Sequence, residues 1–239
     1  MLQRTEGVVL RTIQYGEADL IATFLTKDHG IIKVFVKSPR KTKSRFGSSL
    51  EPLTYSRIAF WGREDSPMPR LTQADIIRVF GSLRSSFRDF FNISSLIELT
   101  LQIVPERDAQ DSVYRLFFSM LEYFENGGKW QLGGLYYRLK LLETGGFMPR
   151  LRSCGRCGKH SGLFHFCHGT VLCDECSMHE KTSVRVSPAA VALFSTMTKW
   201  DFSNIERLRP SEGILAELVS LIEMHISHIT ERDTASVIA

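Results

Sequence analysis

The first third of the chain alternates apolar and polar positions with the two-residue period of strands. The remainder repeats apolar positions with the period of helices. Residues 7–15 are rich in β-branched side chains and predict a first strand; Gly16-Glu17-Ala18-Asp19 breaks it. Residues 20–26 predict a second, and the turn Asp28-His29-Gly30 leads into a third, so these two form a hairpin. In the third strand Ile32, Val34 and Val36 share one face, while Lys33, Phe35 and Lys37 share the other. Residues 52–61 and 70–80 predict two more strands, joined by a loop with two prolines. Five short strands in about 80 residues predict a small closed barrel, either an OB-fold or an SH3-like barrel.

Beyond residue 80 the period lengthens. Phe87, Phe90, Phe91, Leu96, Ile97, Leu101 and Val104 recur at helical spacing until Pro105. Asp111-Ser112 predicts a cap for a second helix, with Val113, Leu116, Phe117, Met120, Leu121 and Phe124 as its apolar stripe. A third helix runs from about Trp130, with Leu135, Leu139 and Leu142 on one side, and stops at Gly145-Gly146. Ser187-Pro188 predicts an N-cap and first-turn proline for a fourth helix, buried through Val191, Phe194 and Met197. A final helix after Pro210 carries Leu215, Leu218, Leu221, Ile222 and Ile226. The expected architecture is α+β and multi-domain. A five-stranded barrel occupies 1–80, a helical domain 81–150 and a cysteine module 151–182. The helices of 183–239 pack back on the helical domain.

Charge sharpens this picture. Residues 1–80 carry 13 Lys and Arg against 8 Asp and Glu, whereas the rest carries 17 against 18. The excess positive charge sits on the barrel, where a polyanion is drawn. Between Asp28 and Glu51 no acidic residue interrupts Lys33, Lys37, Arg40, Lys41, Lys43 and Arg45. Cations on a strand face around an aromatic, followed by a basic loop, suit a nucleic-acid backbone with a base stacked on Phe35. Arg11 is a further candidate for phosphate contact. The alternative is an edge strand kept soluble by lysines.

The cysteines predict a metal site. Cys154-x-x-Cys157 and Cys173-x-x-Cys176 are fifteen residues apart, the spacing of a four-cysteine zinc site. Four thiolates close a tetrahedron around one ion and leave no open position, so the expected Zn(2+) is structural. Phe164 and Phe166 are expected as the apolar core beneath it. A thioredoxin-type redox pair uses a single CxxC, and a zinc deaminase needs a His-x-Glu that is missing here. Cys167 lies outside both pairs and is expected to be buried, with service as a substitute ligand the alternative; His160, His165, His168 and His179 lie close in sequence.

Several ordered segments resemble the bacterial recombination mediator family RecO: Gly7-Val8-Val9-Leu10-Arg11, Tyr15-Gly16-Glu17-Ala18-Asp19, His29-Gly30, residues 37–47, Leu71-Thr72-Gln73-Ala74-Asp75, residues 136–147 and the cysteine module. The resemblance runs from about Gly7 to Arg232. It implies an OB-fold, binding of single- and double-stranded DNA, and annealing of complementary strands. It also implies action with RecR, docking of the acidic tail of single-strand-binding protein on the helical region, and help in loading RecA.

No phosphate-binding Gly-x-x-x-x-Gly-Lys-Ser/Thr and no Gly-x-Ser-x-Gly occurs, so no enzymatic activity is expected. The N-terminus lacks the apolar run of a signal peptide, and no apolar segment approaches the roughly 18 residues that span a bilayer. A cytoplasmic, nucleoid-associated protein without membrane contact is expected. The reading is a non-enzymatic DNA-binding protein of recombinational repair; the alternative is a zinc-stabilised interaction scaffold that binds DNA weakly.

Overall fold

Alternation in the N-terminal segment closes a barrel. A computed structural model describes residues 1–37, 46–62, 68–178, 180 and 183–236, except for the side chains of 232–236. The basic loop residues Arg40, Lys41, Lys43 and Arg45 therefore lie outside the described residues. The chain divides into two compact units, Met1–Asn126 and Gly127–Ala239.

In the first unit, strands β1 (Leu2–Tyr15), β2 (Asp19–Thr26), β3 (Gly30–Val36), β4 (Thr54–Trp61) and β5 (Arg70–Val79) close in the order β1-β2-β3-β5-β4. This is the OB-like five-stranded barrel. β1 is long enough to pair twice, with β4 through Leu2 to Val8 and with β2 through Gly7 to Tyr15. Gly7 stands where both pairings meet; a Cβ there would lie 2.9 Å from the Leu25 carbonyl oxygen. β3 and β5 run parallel and meet at Phe35 and Arg70. The inward faces fill the barrel with Val9, Ala22, Phe24, Ile32, Val34, Val36, Ile58, Phe60 and Leu71, and a 3-10 turn at Gly47–Leu50 adds Leu50. The β2–β3 turn needs Gly30, whose φ is +62° and whose backbone lies against Asp108.

Helices α1 (Gly81–Ser85), α2 (Phe87–Ile103) and α3 (Asp111–Glu125) complete this unit. The Ser86 hydroxyl caps α2 by accepting from the Asp89 N–H. α3 starts at Asp111 from an N-cap at Gln110, so the expected Asp111-Ser112 cap is corrected: Asp111 already lies in the first turn. Phe118 of α3 packs edge-on against Tyr55 of β4 at 4.8 Å, and Arg78 of β5 bonds Glu122 and Glu125. Sequence periodicity places Phe87 and Phe91 on an apolar stripe, yet they are 87% and 66% exposed, while Ile93, Leu96 and Ile97 are buried. The helix turns its later positions inward and leaves Phe87 and Phe91 exposed among the described residues.

The second unit is built around α4 (Trp130–Thr144), which buries side chains all round rather than along one stripe. The division between units thus falls inside the span 81–150, because α3 docks on the barrel and α4 belongs with later helices. A three-stranded sheet follows, ordered β7-β6-β8, from β6 (Leu163–His165), β7 (Thr170–Leu172) and β8 (Val184–Arg185). Then come α5 (Pro188–Lys199) and α6 (Glu212–Ser236), both packed on α4. Ser187 caps α5 and Pro188 opens it, as the sequence predicts. α6 buries Leu218, Leu221 and Ile222, and also His225, which donates from Nε2 to the Phe147 carbonyl at 2.9 Å. Burial holds this imidazole below the usual histidine range. Among the described residues no helix is long and apolar enough to cross a membrane.

Candidate nucleic-acid face and metal centre

Side chains of β1, β2 and β3 that point away from the barrel core line up in rungs, whose central β2 members Thr23 and Ile21 are buried while the flanking strands carry the exposed groups. Arg11, Thr23 and Lys33 form one, since Thr23 pairs with both others. Ile13, Ile21 and Phe35 form the next, and Tyr15 pairs with Asp19 beyond it. Two strand steps separate the outer members of a rung, about 10 Å. A β-bulge between Val9 and Arg11 turns Arg11, Ile13 and Tyr15 outward. Tyr15 meets Phe35 edge-on, with ring centroids 5.9 Å apart and planes at 89°. Tyr15 is 55% and Ile13 47% exposed, and Phe35 is half-buried. Lys37 is exposed at the end of β3. The sequence pattern singles out Phe35 alone; the register adds Ile13 and Tyr15, which share Arg11's parity.

The absence of acidic residues between Asp28 and Glu51 implies uncompensated cations, which the structure corrects for Lys33; Arg11, outside that stretch, is paired as well. Lys33 is ion-paired with Glu106, and Arg11 with Glu98 at 3.4 Å. Both carboxylates come from α2 or its C-terminal connection, far in sequence from β3. The Arg107 N–H donates to the Ile31 carbonyl at 2.9 Å and holds that connection beside the strand. All four side chains are well exposed, between 38% and 51%. Such surface pairs are worth about 0–1 kcal/mol, so a phosphate can displace either carboxylate.

The four cysteines converge as their spacing predicts. Their sulfurs lie within 4.8 Å of one another, with Cys157 Sγ 3.5 Å from Cys173 Sγ. A tetrahedral ion with sulfur bonds of about 2.3 Å has edges of about 3.8 Å, so the donor set fits one ion. Each knuckle is a tight turn: Gly158 N–H donates to Cys154 O, and Cys176 N–H to Cys173 O. Gly158 takes φ +76°. Gly155 lies so close to Thr170 that a Cβ would come within 2.6 Å of its methyl. Burial opposes ionisation of Cys154, yet backbone N–H groups of Cys173, Cys157 and Arg156 together bring its thiol down to about 6. Hydrogen bonds with Cys173 and Cys157, then burial, push Cys176 up to about 12. A divalent cation among the four sulfurs would favour the thiolate form of each.

Two further ties cross the module. Lys159 bonds Glu175 at 2.6 Å, and Arg156 donates to the Cys176 carbonyl at 2.6 Å. Phe164 is fully buried, and Phe166 is half-buried beside His228. Cys167 departs from expectation: it is exposed, and its nearest acidic neighbour is Glu180, 3.7 Å from the sulfur. It lies in the middle of the 3-10 turn Phe166–His168 that follows β6, outside the small sheet. His179 lies outside the described residues.

Comparison with known proteins agrees with both halves. Residues 1–80 match the family model for the N-terminal part of recombination protein O, and residues 84–237 the model for its C-terminal part. The chain is 36% identical over 228 residues to DNA repair protein RecO of Thermodesulfovibrio yellowstonii, covering 93% of this chain and 91% of that one. It is 30% identical over 234 residues to the Dehalococcoides mccartyi protein of the same name, covering 96% and 91%. A RecO protein from Bifidobacterium longum subsp. infantis is 32% identical over 222 residues, covering 91% of each chain.

Proposed function

The chain belongs to the RecO family of DNA repair proteins, and we propose that it acts in recombinational repair as a non-enzymatic DNA-binding mediator. In this reading it grips single- and double-stranded DNA, anneals complementary strands and works with RecR. It engages the acidic tail of single-strand-binding protein and so helps RecA load on coated single strands. The four cysteines hold one zinc ion that is structural, because four thiolates leave no position for substrate.

The observation that carries the reading is the rung pattern on β1–β3. Arg11, Lys33 and Lys37 flank an apolar, partly aromatic strip of Ile13, Tyr15 and Phe35. Cations track phosphates while rings accept bases, a combination indifferent to base sequence. Arg40, Lys41, Lys43 and Arg45 extend the positive charge in sequence. Masking phosphate repulsion on two strands at once assists their pairing.

A titration of single-stranded DNA across salt tests this. If the six cations of β3 and its loop neutralise phosphates, log K against log salt falls with a slope of about −4. Replacing Arg40, Lys41, Lys43 and Arg45 with Ala should reduce that slope to about −1.4 and weaken binding to all sequences alike. A slope near zero, or a variant that binds as wild type, overturns the assignment. A second reading, a zinc-stabilised protein-interaction scaffold, draws on Phe87 and Phe91, exposed one turn apart on α2. It predicts a weak, shallow salt dependence in the same titration.

A further inference from the structure

Beside the four-cysteine centre, Cys167, His168 and Glu180 bring one sulfur, one ring nitrogen and one carboxylate together, all within 4.8 Å. Glu180 Oε2 is 3.7 Å from Cys167 Sγ, and Glu180 Oε1 is 2.6 Å from His168 Nε2. None of the three belongs to the CxxC pairs. From these contacts we propose a second metal site, separate from the four-cysteine centre, in which Cys167, His168 and Glu180 bind a divalent transition-metal ion.

The donor set is borderline in character: thiolate, imidazole and carboxylate together suit zinc or cobalt rather than calcium or magnesium. With bonds of about 2.3 Å to sulfur and about 2.0 Å to nitrogen and oxygen, a tetrahedral site has edges of about 3.3–3.5 Å. The sulfur–oxygen edge already has nearly that length. Oε2 is the oxygen beside the sulfur and Oε1 the one against His168, so if Glu180 gives the ion Oε2, Oε1 stays with Arg156 and the imidazole must swing from Oε1 onto the ion. His168 and Glu180 are 35% and 22% exposed and can make that adjustment without disturbing the core.

The hydrogen bonding around His168 Nε2 points the same way. That nitrogen faces Glu180 Oε1 at 2.6 Å and the Arg156 guanidinium at 3.3 Å. Arg156 is already satisfied by Glu180 Oε1 and the Cys176 carbonyl, so His168 Nε2 can exchange the proton it shares with Glu180 for a metal ion without stranding the guanidinium. Arg156 then keeps Glu180 Oε1 at 3.1 Å and the Cys176 carbonyl, and so orients the carboxylate from the outer shell. Three protein ligands leave a fourth position. Cys167 and His168 both line a cavity of about 780 Å³, bounded also by Arg150, Phe166 and His228, so that position is open to water or to an anionic ligand. Metal binding deprotonates Cys167 and releases its proton to solvent.

The test uses the full chain with its four-cysteine site filled with zinc. Cobalt(II) is added, unbound metal is removed, and zinc and cobalt are counted per chain alongside the absorbance of a thiolate-to-cobalt charge-transfer band. The expected result is one cobalt bound without zinc release, with a band of the strength of a single sulfur ligand. The double variant Cys167→Ala/His168→Ala should bind this cobalt more than about 100-fold more weakly, since outer-shell losses alone reach 10–100-fold. Glu180→Gln, which preserves the shape of the Arg156 contact, should weaken it in the same sense and serves if the double variant does not fold. No added cobalt, cobalt taken up only in exchange for zinc, or uptake that persists in the variants overturns the site.

Discussion

If Lys33 grips phosphate as proposed, its ion pair with Glu106 competes with that contact, and removing the Glu106 charge should tighten DNA binding. The perturbation is Glu106→Gln, which keeps the side-chain shape. The position of the segment is held by the Arg107 N–H bond to Ile31 and does not depend on the carboxylate charge. The Lys33 and Glu106 side chains are 38% and 50% exposed, so the pair lies in a high-dielectric environment. A surface pair of this kind is worth about 0.2–1 kcal/mol. That energy is lost whenever Lys33 turns to a phosphate. Releasing it beforehand strengthens binding about 1.4- to 5-fold. Glu98→Gln should do the same for Arg11, and because the two pairs share no partner their effects should combine to about 2- to 30-fold. Fluorescence anisotropy with a labelled oligonucleotide at about 50 mM and about 200 mM salt reads the effect, which should shrink as salt screens the pair. Removing any negative charge also raises the general potential, and a double-mutant cycle separates that contribution. In a Lys33→Ala background Glu106→Gln should lose most of its benefit. An unchanged affinity in Glu106→Gln, or a gain that persists without Lys33, would refute the idea that this carboxylate occupies a phosphate site.

Three other outcomes follow from the geometry. Phe35→Ala and Tyr15→Ala should each weaken single-strand binding by about 1–3 kcal/mol while leaving the salt slope unchanged, because stacking releases no counterions; a changed slope with unchanged affinity would contradict that division of labour. Gly155→Ala forces a methyl against the buried, β-branched Thr170 and should destabilise the second unit by about 1–3 kcal/mol in urea titration, with a wild-type midpoint as the contrary result. The Glu6 carboxyl is held below the usual carboxylate range by the Tyr55 hydroxyl and then by Arg57. Its contribution is therefore full above the ordinary carboxylate value and is lost as pH falls through the lowered one. Tyr55→Phe should cost about 1 kcal/mol at pH 7, and the difference from wild type should narrow below about pH 4 in urea unfolding.

Much of the architecture is legible from patterning because local rules and tertiary contacts agree there. The alternation of Ile32, Val34 and Val36 places the barrel core, and the CxxC spacing brings four sulfurs together. What patterning cannot supply depends on contacts distant in sequence. Glu98 and Glu106 reach the β1–β3 face only because α2 and its connection return to the barrel. Phe87 and Phe91 have the spacing of core residues, yet among the described residues both are exposed. His225 reads as a polar interruption in the α6 stripe, but it is buried with its Nε2 donating a hydrogen bond to the Phe147 carbonyl. Cys167 has the composition of a core residue and an exposed position, in the 3-10 turn at Phe166–His168 outside the sheet.

The proposed nucleic-acid face rests on one irregularity. With strict alternation from the inward-facing Val9, Arg11 would point into the barrel, and so would Ile13 and Tyr15. The bulge leaves Leu10 without a partner on β2 and reverses the parity of everything after it. Val9 still faces Phe24 in the core, while Arg11 comes to lie across Thr23 from Lys33, and Ile13 across Ile21 from Phe35. A guanidinium inside this barrel would meet Phe24, Ile32 and Val34 with no carboxylate among the described core residues to receive it, a burial that costs several kcal/mol. The same residue displaced outward meets Glu98 and solvent. The extra residue thus resolves a packing conflict in β1, and in doing so gathers cations and rings on one surface.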